Sequence, residues 1–398
     1  MRTATFDHKV IFGLFMVHFI GDFYPAFVNP VLPALVDKLS LSLAQVGLLM
    51  AISRLLSFVT QPWVGYLADR QRTRLYILGG PLLTMLFVPL IGLAPDFWSL
   101  AGCLALGSIG ASMFHPTAAG MISRYAGNRV GLCMGLFWLG GTMAFGLGPL
   151  AVTVVAAAWG LSSLPLTTLF GLPAMILLFI LIPKPEGEGL RNLGFLGSIR
   201  DTLGPNWRPL TLIWTLILVR TFVSQSFMTF LPILYAREGL SLVSIGGMIS
   251  AYVSAAAVSG LLGGFLADRI GYRPIFFVTY ALATPCIYLA LYAPKGWIHI
   301  SAALAGFMIL ATMPLAVALA QELAPRARSL VSSLMMGLAF GVGGMLSPIT
   351  GWLADVFSIR PAMSVVAIFP LLTVGLIFFV PETTRIKKAG PARTPGPA

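Results

Sequence analysis

The sequence predicts an all-α membrane protein of twelve transmembrane helices, arranged as two six-helix repeats with both termini cytoplasmic. Three observations carry that prediction: a composition too apolar for a water-facing body, twelve apolar stretches of spanning length, and self-similarity at one fixed offset. Of 398 residues, 58% are hydrophobic and only 10% charged, against roughly 25% charged in ordinary globular chains. The mean hydropathy is +0.91. The same scarcity of charge argues against nucleic-acid binding despite a formal net charge of +12, because a basic groove needs Lys and Arg clustered on a soluble module.

A spanning helix needs roughly 20 predominantly apolar residues. Such stretches fall at about 10–36, 43–68, 75–94, 98–122, 130–157, 162–182, 209–236, 243–267, 274–293, 297–322, 329–354 and 361–380. The first exceeds a signal-peptide core and lacks a small-residue cleavage site, so it reads as a helix. An even number of spans puts both ends on one side, and the positive-inside rule selects that side. Connections on the terminal side carry nineteen Lys and Arg, and those opposite carry four: Lys38, Arg237, Lys295 and Arg360. Most of the net charge is thus a topology signal. The longest connection, rich in Pro, Gly and charge, divides a six-helix bundle over 1–182 from a second over 209–381 through a cytoplasmic linker, 183–208. A disordered cytoplasmic tail, 382–398, follows. Cys103, Cys133 and Cys286 lie in apolar stretches without paired or metal-site spacing and read as small buried hydrophobes.

The repeat is explicit. Gly65-Tyr-Leu-Ala-Asp69-Arg70 recurs as Gly264-Phe-Leu-Ala-Asp268-Arg269, an offset of 199. At the same offset Leu32-Pro33 matches Leu231-Pro232, Gly47 matches Gly246, Arg74 matches Arg273, and Pro149 matches Pro348. Parallel repeats in a membrane protein imply a central site between halves that rock against each other. Glycines of the fifth span, Gly140, Gly141, Gly146 and Gly148, and their counterparts Gly341, Gly343 and Gly344, read as a packing seam.

Charge at membrane depth costs at least ~2.5–3.5 kcal/mol, so ionisable residues inside spans are functional candidates. His18, Asp22, Pro25 and Asn29 are spaced four, three and four apart, on one helix face. Arg54 in the second span is the nearest basic candidate in sequence to pair with Asp22, and protonating Asp22 would then free it. Arg220, with Ser224 one turn on, has no evident acidic partner and reads either as an anion receptor or as bound to a backbone carbonyl. In the fourth span Ser108, Ser112 and His115 share a face, and Pro116 is expected to break the helix ladder. There His115 either titrates, contacts substrate or stabilises the kink. Gln321 and Glu322, at the cytoplasmic end of the tenth span, are candidates for substrate contact or gating, with headgroups, Arg326 or Arg328 as the plainer partners of Glu322.

The repeated Gly-x-x-x-Asp-Arg segment resembles the loop signature of the major facilitator superfamily, Gly-x-x-x-Asp-Arg-x-Gly-Arg/Lys-Arg/Lys. The second copy departs only at Tyr272, the first at Arg72 and Thr73. The resemblance implies the major facilitator fold and assigns Gly65, Asp69, Arg70, Arg74, Gly264, Asp268, Arg269 and Arg273 to a cytoplasmic conformational latch. His18-Phe-Ile-Gly-Asp22, Gln61-Pro62, Phe114-His115-Pro116, Ala320-Gln321-Glu322-Leu-Ala-Pro325 and Gly337-Leu-Ala-Phe-Gly341 are similar to segments of the fosmidomycin-resistance efflux proteins. That likeness implies a bacterial inner-membrane exporter of a drug or small metabolite, driven by proton entry.

The resulting expectation is a proton-coupled antiporter. Asp22, His18 and Arg54 handle the proton; Asn29, His115, Arg220, Ser224, Gln321 and Glu322 handle a small, anionic, phosphonate-like substrate. Proton symport or uniport of an organic anion, and a non-transporting receptor, are the alternatives. The sequence has neither a His-Glu-x-x-His motif nor a phosphate-binding Gly-x4-Gly-Lys-Ser/Thr loop, so neither metallohydrolase chemistry nor direct ATP drive is expected. No cofactor is expected either. The partners are the lipid bilayer, protons and the substrate, and one chain of two bundles forms a cavity as a monomer.

Overall fold

The computed structural model describes residues 6–68, 74–127, 130–184, 204, 206–323, 331, 335, 337 and 339–381. Helices follow one another along the chain: α1 (His8–Phe23), α2 (Val28–Leu39), α3 (Leu43–Ala68), α4 (Leu75–Phe87), α5 (Phe97–Tyr125), α6 (Val130–Trp159), α7 (Thr168–Leu181), α8 (Trp207–Arg237), α9 (Leu242–Ile270) and α10 (Tyr272–Tyr292). They continue as α11 (Ile298–Leu310), α12 (Thr312–Leu323), α13 (Ala339–Met345), α14 (Ser347–Phe357), α15 (Ile359–Ala367) and α16 (Phe369–Ile377). No strand occurs among the described residues. Eleven continuous or near-continuous helical stretches there are long and apolar enough to cross a membrane. The expected span at 329–354 is not among them, because part of it lies outside the described residues; α13 and most of α14 fall within it. Most of the expected linker and the whole tail also lie outside.

Local chemistry explains the breaks. The Asp7 carboxylate accepts hydrogen bonds from Lys9 N and Val10 N and starts α1. Pro25 cannot donate to the ladder, and Pro25–Phe27 tightens into a 3-10 turn before α2 resumes. The expected first span is therefore a bent helix whose bend follows Asp22 directly. Pro314 similarly lacks the N–H that would bond Leu310 O, and α11 gives way to α12 at Ala311. By contrast, α5 runs unbroken through Pro116, contrary to the sequence expectation. The proline costs one ladder bond, which the packed helix tolerates.

The end bearing the start of α1 and the end of α16 is the terminal end; the opposite one is the far end. At the far end one core spans both halves, with Phe27, Val31 and Leu49 in the same buried cluster as Phe230, Tyr252 and Ala354. Toward the terminal end each half has its own core, around Leu14, Ile122 and Leu178 in one and Ile213, Phe276 and Leu319 in the other. Glycines allow the far-end approach: a Cβ on Gly351 would lie 2.3 Å from Leu43 O, and one on Gly47 2.6 Å from Ser347 O. Across this seam the Asp355 carboxylate accepts from Leu43 N and Ala44 N, both at 2.8 Å. The second half thereby caps a helix of the first. The outer surface carries many exposed large apolar side chains, among them Trp98, Trp159, Phe179, Ile180 and Phe379, as a lipid-facing belt requires.

Candidate functional site

His18 and Asp22 stand one turn apart at the end of α1. Both are buried, 1% and 6% exposed. His18 Nε2 lies 3.1 Å from Asp22 Oδ2. On α5, His115 brings its own Nε2 to 3.7 Å from the same oxygen. The other ring nitrogens are tied to the backbone: His18 Nδ1 bonds Phe137 O at 2.7 Å, and His115 Nδ1 bonds Ala111 O at 2.7 Å. The ring of His18 packs on Phe137, Phe114 and Trp138. Gly141 opens the space it occupies, since a Cβ there would lie 2.4 Å from His18 Nε2. The glycine seam of the fifth span thus does more than join helices: it seats an imidazole.

Arg54 is not within ion-pair distance of Asp22, although its charge acts on that carboxylate. Its Nη2 donates to Gln225 Oε1 on α8 at 3.0 Å, a bond between the halves. Gly344 of the second half makes room for its stem; a Cβ there would lie 2.4 Å from Arg54 Cγ. Asn29 stands on α2, beyond the turn at Pro25, and is half-buried. The bend removes it from the continuous helix face that carries His18 and Asp22.

In the second half, Arg220 on α8 is 5% exposed. Its Nε donates to Ile309 O at 2.9 Å. That carbonyl lies in the last turn of α11, where backbone acceptors lose their helical donors and a cation is favoured. The backbone-carbonyl reading of this arginine is therefore realised in part. Among the described residues its Nη1 has no hydrogen-bond partner and no carboxylate pairs with it. The guanidinium stands 5.8 Å from the Phe340 ring centroid, with Tyr252 and Tyr280 near enough for electrostatic interaction. Ser224 Oγ shares a 2.9 Å hydrogen bond with Tyr252 Oη. Glu322 is exposed at the terminal end and accepts from Tyr272 Oη at 3.0 Å; Gln321 lies beside it on α12.

Of the expected latch, Asp69 and Arg70 lie outside the described residues, Gly65 is on α3, and Gly264 and Asp268 are on α9. The contacts described for Arg74, Arg269 and Arg273 each stay within one half. Arg74 Nη1 donates to Phe179 O at 3.2 Å, and its repeat partner Arg273 donates through Nε to Val380 O. Each reaches the end of the last helix of its own half. Arg269 stacks over Phe265 on its own helix, 4.1 Å from the centroid.

Eleven long apolar helical stretches among the described residues, with His18, Asp22 and Arg220 buried between them, define a multi-pass integral membrane protein. The chain belongs to the major facilitator superfamily, whose model matches residues 11–348 and 213–397. It is similar to the fosmidomycin resistance protein of Escherichia coli strain K12, 26% identical over 389 residues that cover 95% of each chain. It is also similar to the multidrug resistance protein MdtG of Citrobacter koseri, 30% identical over 258 residues, 61% of this chain and 63% of that one. The fold matches a crystal structure of a bacterial homologue of the human lysosomal transporter Spinster in its inward-facing and occupied conformation, with a TM-score of 0.79 and 17% identity, covering 93% of this chain and 96% of that one.

Proposed function

We propose that this protein is a proton-coupled antiporter that exports a small anionic compound across the bacterial inner membrane by alternating access. In this reading it has twelve spans in two six-helix halves, works as a monomer, and keeps its termini and terminal end in the cytoplasm. One observation carries the proposal: the first half buries a carboxylate among two imidazoles, and the second buries a guanidinium whose Nη1 is unpartnered among the described residues. The first arrangement takes up or releases a proton; the second favours an anion. Arg54 ties the first arrangement to the helix that carries the second, since it feels the charge of Asp22 and holds Gln225 of α8. A change of charge at Asp22 therefore alters an inter-half contact.

The test is reconstitution into liposomes with an imposed pH gradient, using phosphonates, lipophilic drugs and small organic anions as probes. Uphill movement of an anion against the proton flow supports antiport. Movement with the proton flow would replace it by symport, and gradient-independent flux by uniport.

A further inference from the structure

Proton positions in the His18–Asp22–His115 cluster follow by elimination. A carbonyl oxygen only accepts hydrogen bonds. Phe137 O and Ala111 O therefore require a hydrogen on Nδ1 of His18 and of His115. A neutral His18 in that tautomer would turn the Nε2 lone pair onto a carboxylate oxygen at 3.1 Å. Two buried acceptors would then face each other, which is costly without a hydrogen between them. One proton on the line from His18 Nε2 to Asp22 Oδ2 removes the conflict. The aromatic packing and the Nδ1 bond hold the ring of His18 in place, so it cannot turn to find another partner.

His115 is placed differently. Its Nε2 is 3.7 Å from the same oxygen, beyond hydrogen-bond distance. Its side chain is 28% exposed, against 2% for His18. Few other charged or titratable groups bear on the pair. Arg54 acts from α3 and is bonded to Gln225. His8 and Lys9 lie at the start of α1 and Tyr24 just past its end; on the helices packed against α1, Cys133 lies one turn before Phe137 on α6, Tyr76, Arg124 and Tyr125 lie at the terminal ends of α4 and α5, Cys103 lies toward the far end of α5, and α7 carries none.

We propose that His115 is the port through which a proton enters and leaves the buried His18–Asp22 pair, a positioning and relay role in place of the substrate contact expected from sequence. This rests on the proton-coupled reading of the same site. A protonated His115 closes the gap to Asp22, its Nε2–H bond breaks as an O–H bond forms on Oδ2, and the ring is left neutral. The Oδ2 proton is then shared with or passed to His18 Nε2, breaking O–H as N–H forms. The pair goes from a net charge of −1 to zero, and the reverse sequence releases the proton.

The chain has four histidines, so ¹⁵N-histidine NMR in nanodiscs resolves the two rings without any substrate. We expect both to carry hydrogen on Nδ1, and proton exchange at His18 Nε2 to slow at least tenfold in His115→Gln with its tautomer unchanged. In His115→Ala, added imidazole should restore fast exchange, which a purely structural role would not give; this second variant also covers a His115→Gln protein that does not fold. Unchanged exchange at His18 in either variant overturns the proposal. So does an unprotonated Nδ1 on either ring, or stoichiometric transition metal in the as-purified protein, which would place a cation where the proton is assigned. Failure of these measurements is separable from failure of the liposome assay, because they require no transport.

Discussion

The two halves of the chain share a sequence register and differ at their centres. At the repeat offset of 199, Asp22 falls on Thr221 and His18 on Ile217, while Arg220 falls on Gly21. Where the first half has an acid between imidazoles, the second has a guanidinium bound to a helix end. Packing positions behave in the opposite way: Arg74 and Arg273 make equivalent contacts with the last helix of their own halves. At one and the same register, positions that hold a bundle together carry the same residue, and the chemistry lies where the residues differ.

The largest expected effect comes from removing the acid. In Asp22→Asn the side-chain amide can donate to a neutral His18 Nε2, so the site remains satisfied without an exchangeable proton. Uphill accumulation on a pH gradient should fall to a ratio of about one, because a gradient cannot drive a cycle whose states no longer differ in proton affinity. Retained accumulation at the wild-type level would show that the asymmetry between halves has nothing to do with coupling. Next is Arg220→Gln, which keeps a donor for Ile309 O and removes the charge. Losing a charge-assisted hydrogen bond of about 1.5–3 kcal/mol predicts a roughly 10- to 150-fold weaker half-saturation for anionic probes, with neutral probes little changed. Equal losses for both would remove the anion assignment.

Much of this plan is legible in the sequence, and the remainder is not for a definite reason. Apolar runs act locally, so the long helices could be read directly. So could the shared helix face of His18 and Asp22, because four residues make one helical turn, although Arg54 was the expected partner of the acid. The pairings that complete the site are tertiary. Arg54 meets Gln225 across 171 residues, and Asp355 meets Leu43 across 312; neither leaves a periodic trace. His115 stood out beside Pro116, but nothing local says that it turns toward Asp22. Likewise the glycines of the fifth span announced close packing without naming the ring that Gly141 admits. The bend at Pro25 moved Asn29 off the stripe because spacing rules assume an uninterrupted helix.

Glycine substitution sharpens the comparison at a smaller scale. Gly141→Ala puts a methyl group against an imidazole pinned at both nitrogens, and overpacking of this kind costs about 1–3 kcal/mol. Gly344→Ala meets Arg54 at Cγ and Cβ, the root of its side chain, which moves only with its helix or by a change of rotamer that breaks the bond to Gln225. Thermal unfolding in detergent should therefore show a loss of this order for both variants. An unchanged midpoint in one of them would mark that polar centre as the more pliable of the two.

The smallest predicted effect concerns the contact that ties the halves together. The start of α9 is capped by its own Ser241, whose side chain accepts from Ser244 N. The start of α3 has the matching Ser42, which accepts from Gln45 N, and in addition receives Asp355 from the other half. At the repeat offset Asp355 falls on Ala156, so this cross-half cap has no mirror image. Removing a capping carboxylate costs about 0.5–2 kcal/mol. In the proposed alternating-access cycle, which opens the far end, that amount enters the ratio of closed to open states directly, a shift of roughly 2- to 30-fold toward open. Spin labels replacing the exposed Trp98 and Trp297, one at the far end of each half, in a cysteine-free background, should report a longer distance population in Asp355→Ala than in the parent. Asp355→Asn should fall between them, because its carbonyl oxygen still accepts one of the two N–H bonds but has lost the charge that favours a helix start. Identical distance distributions in all three would show that the shared apolar core alone closes this end, and that the asymmetry of the halves is confined to their centres.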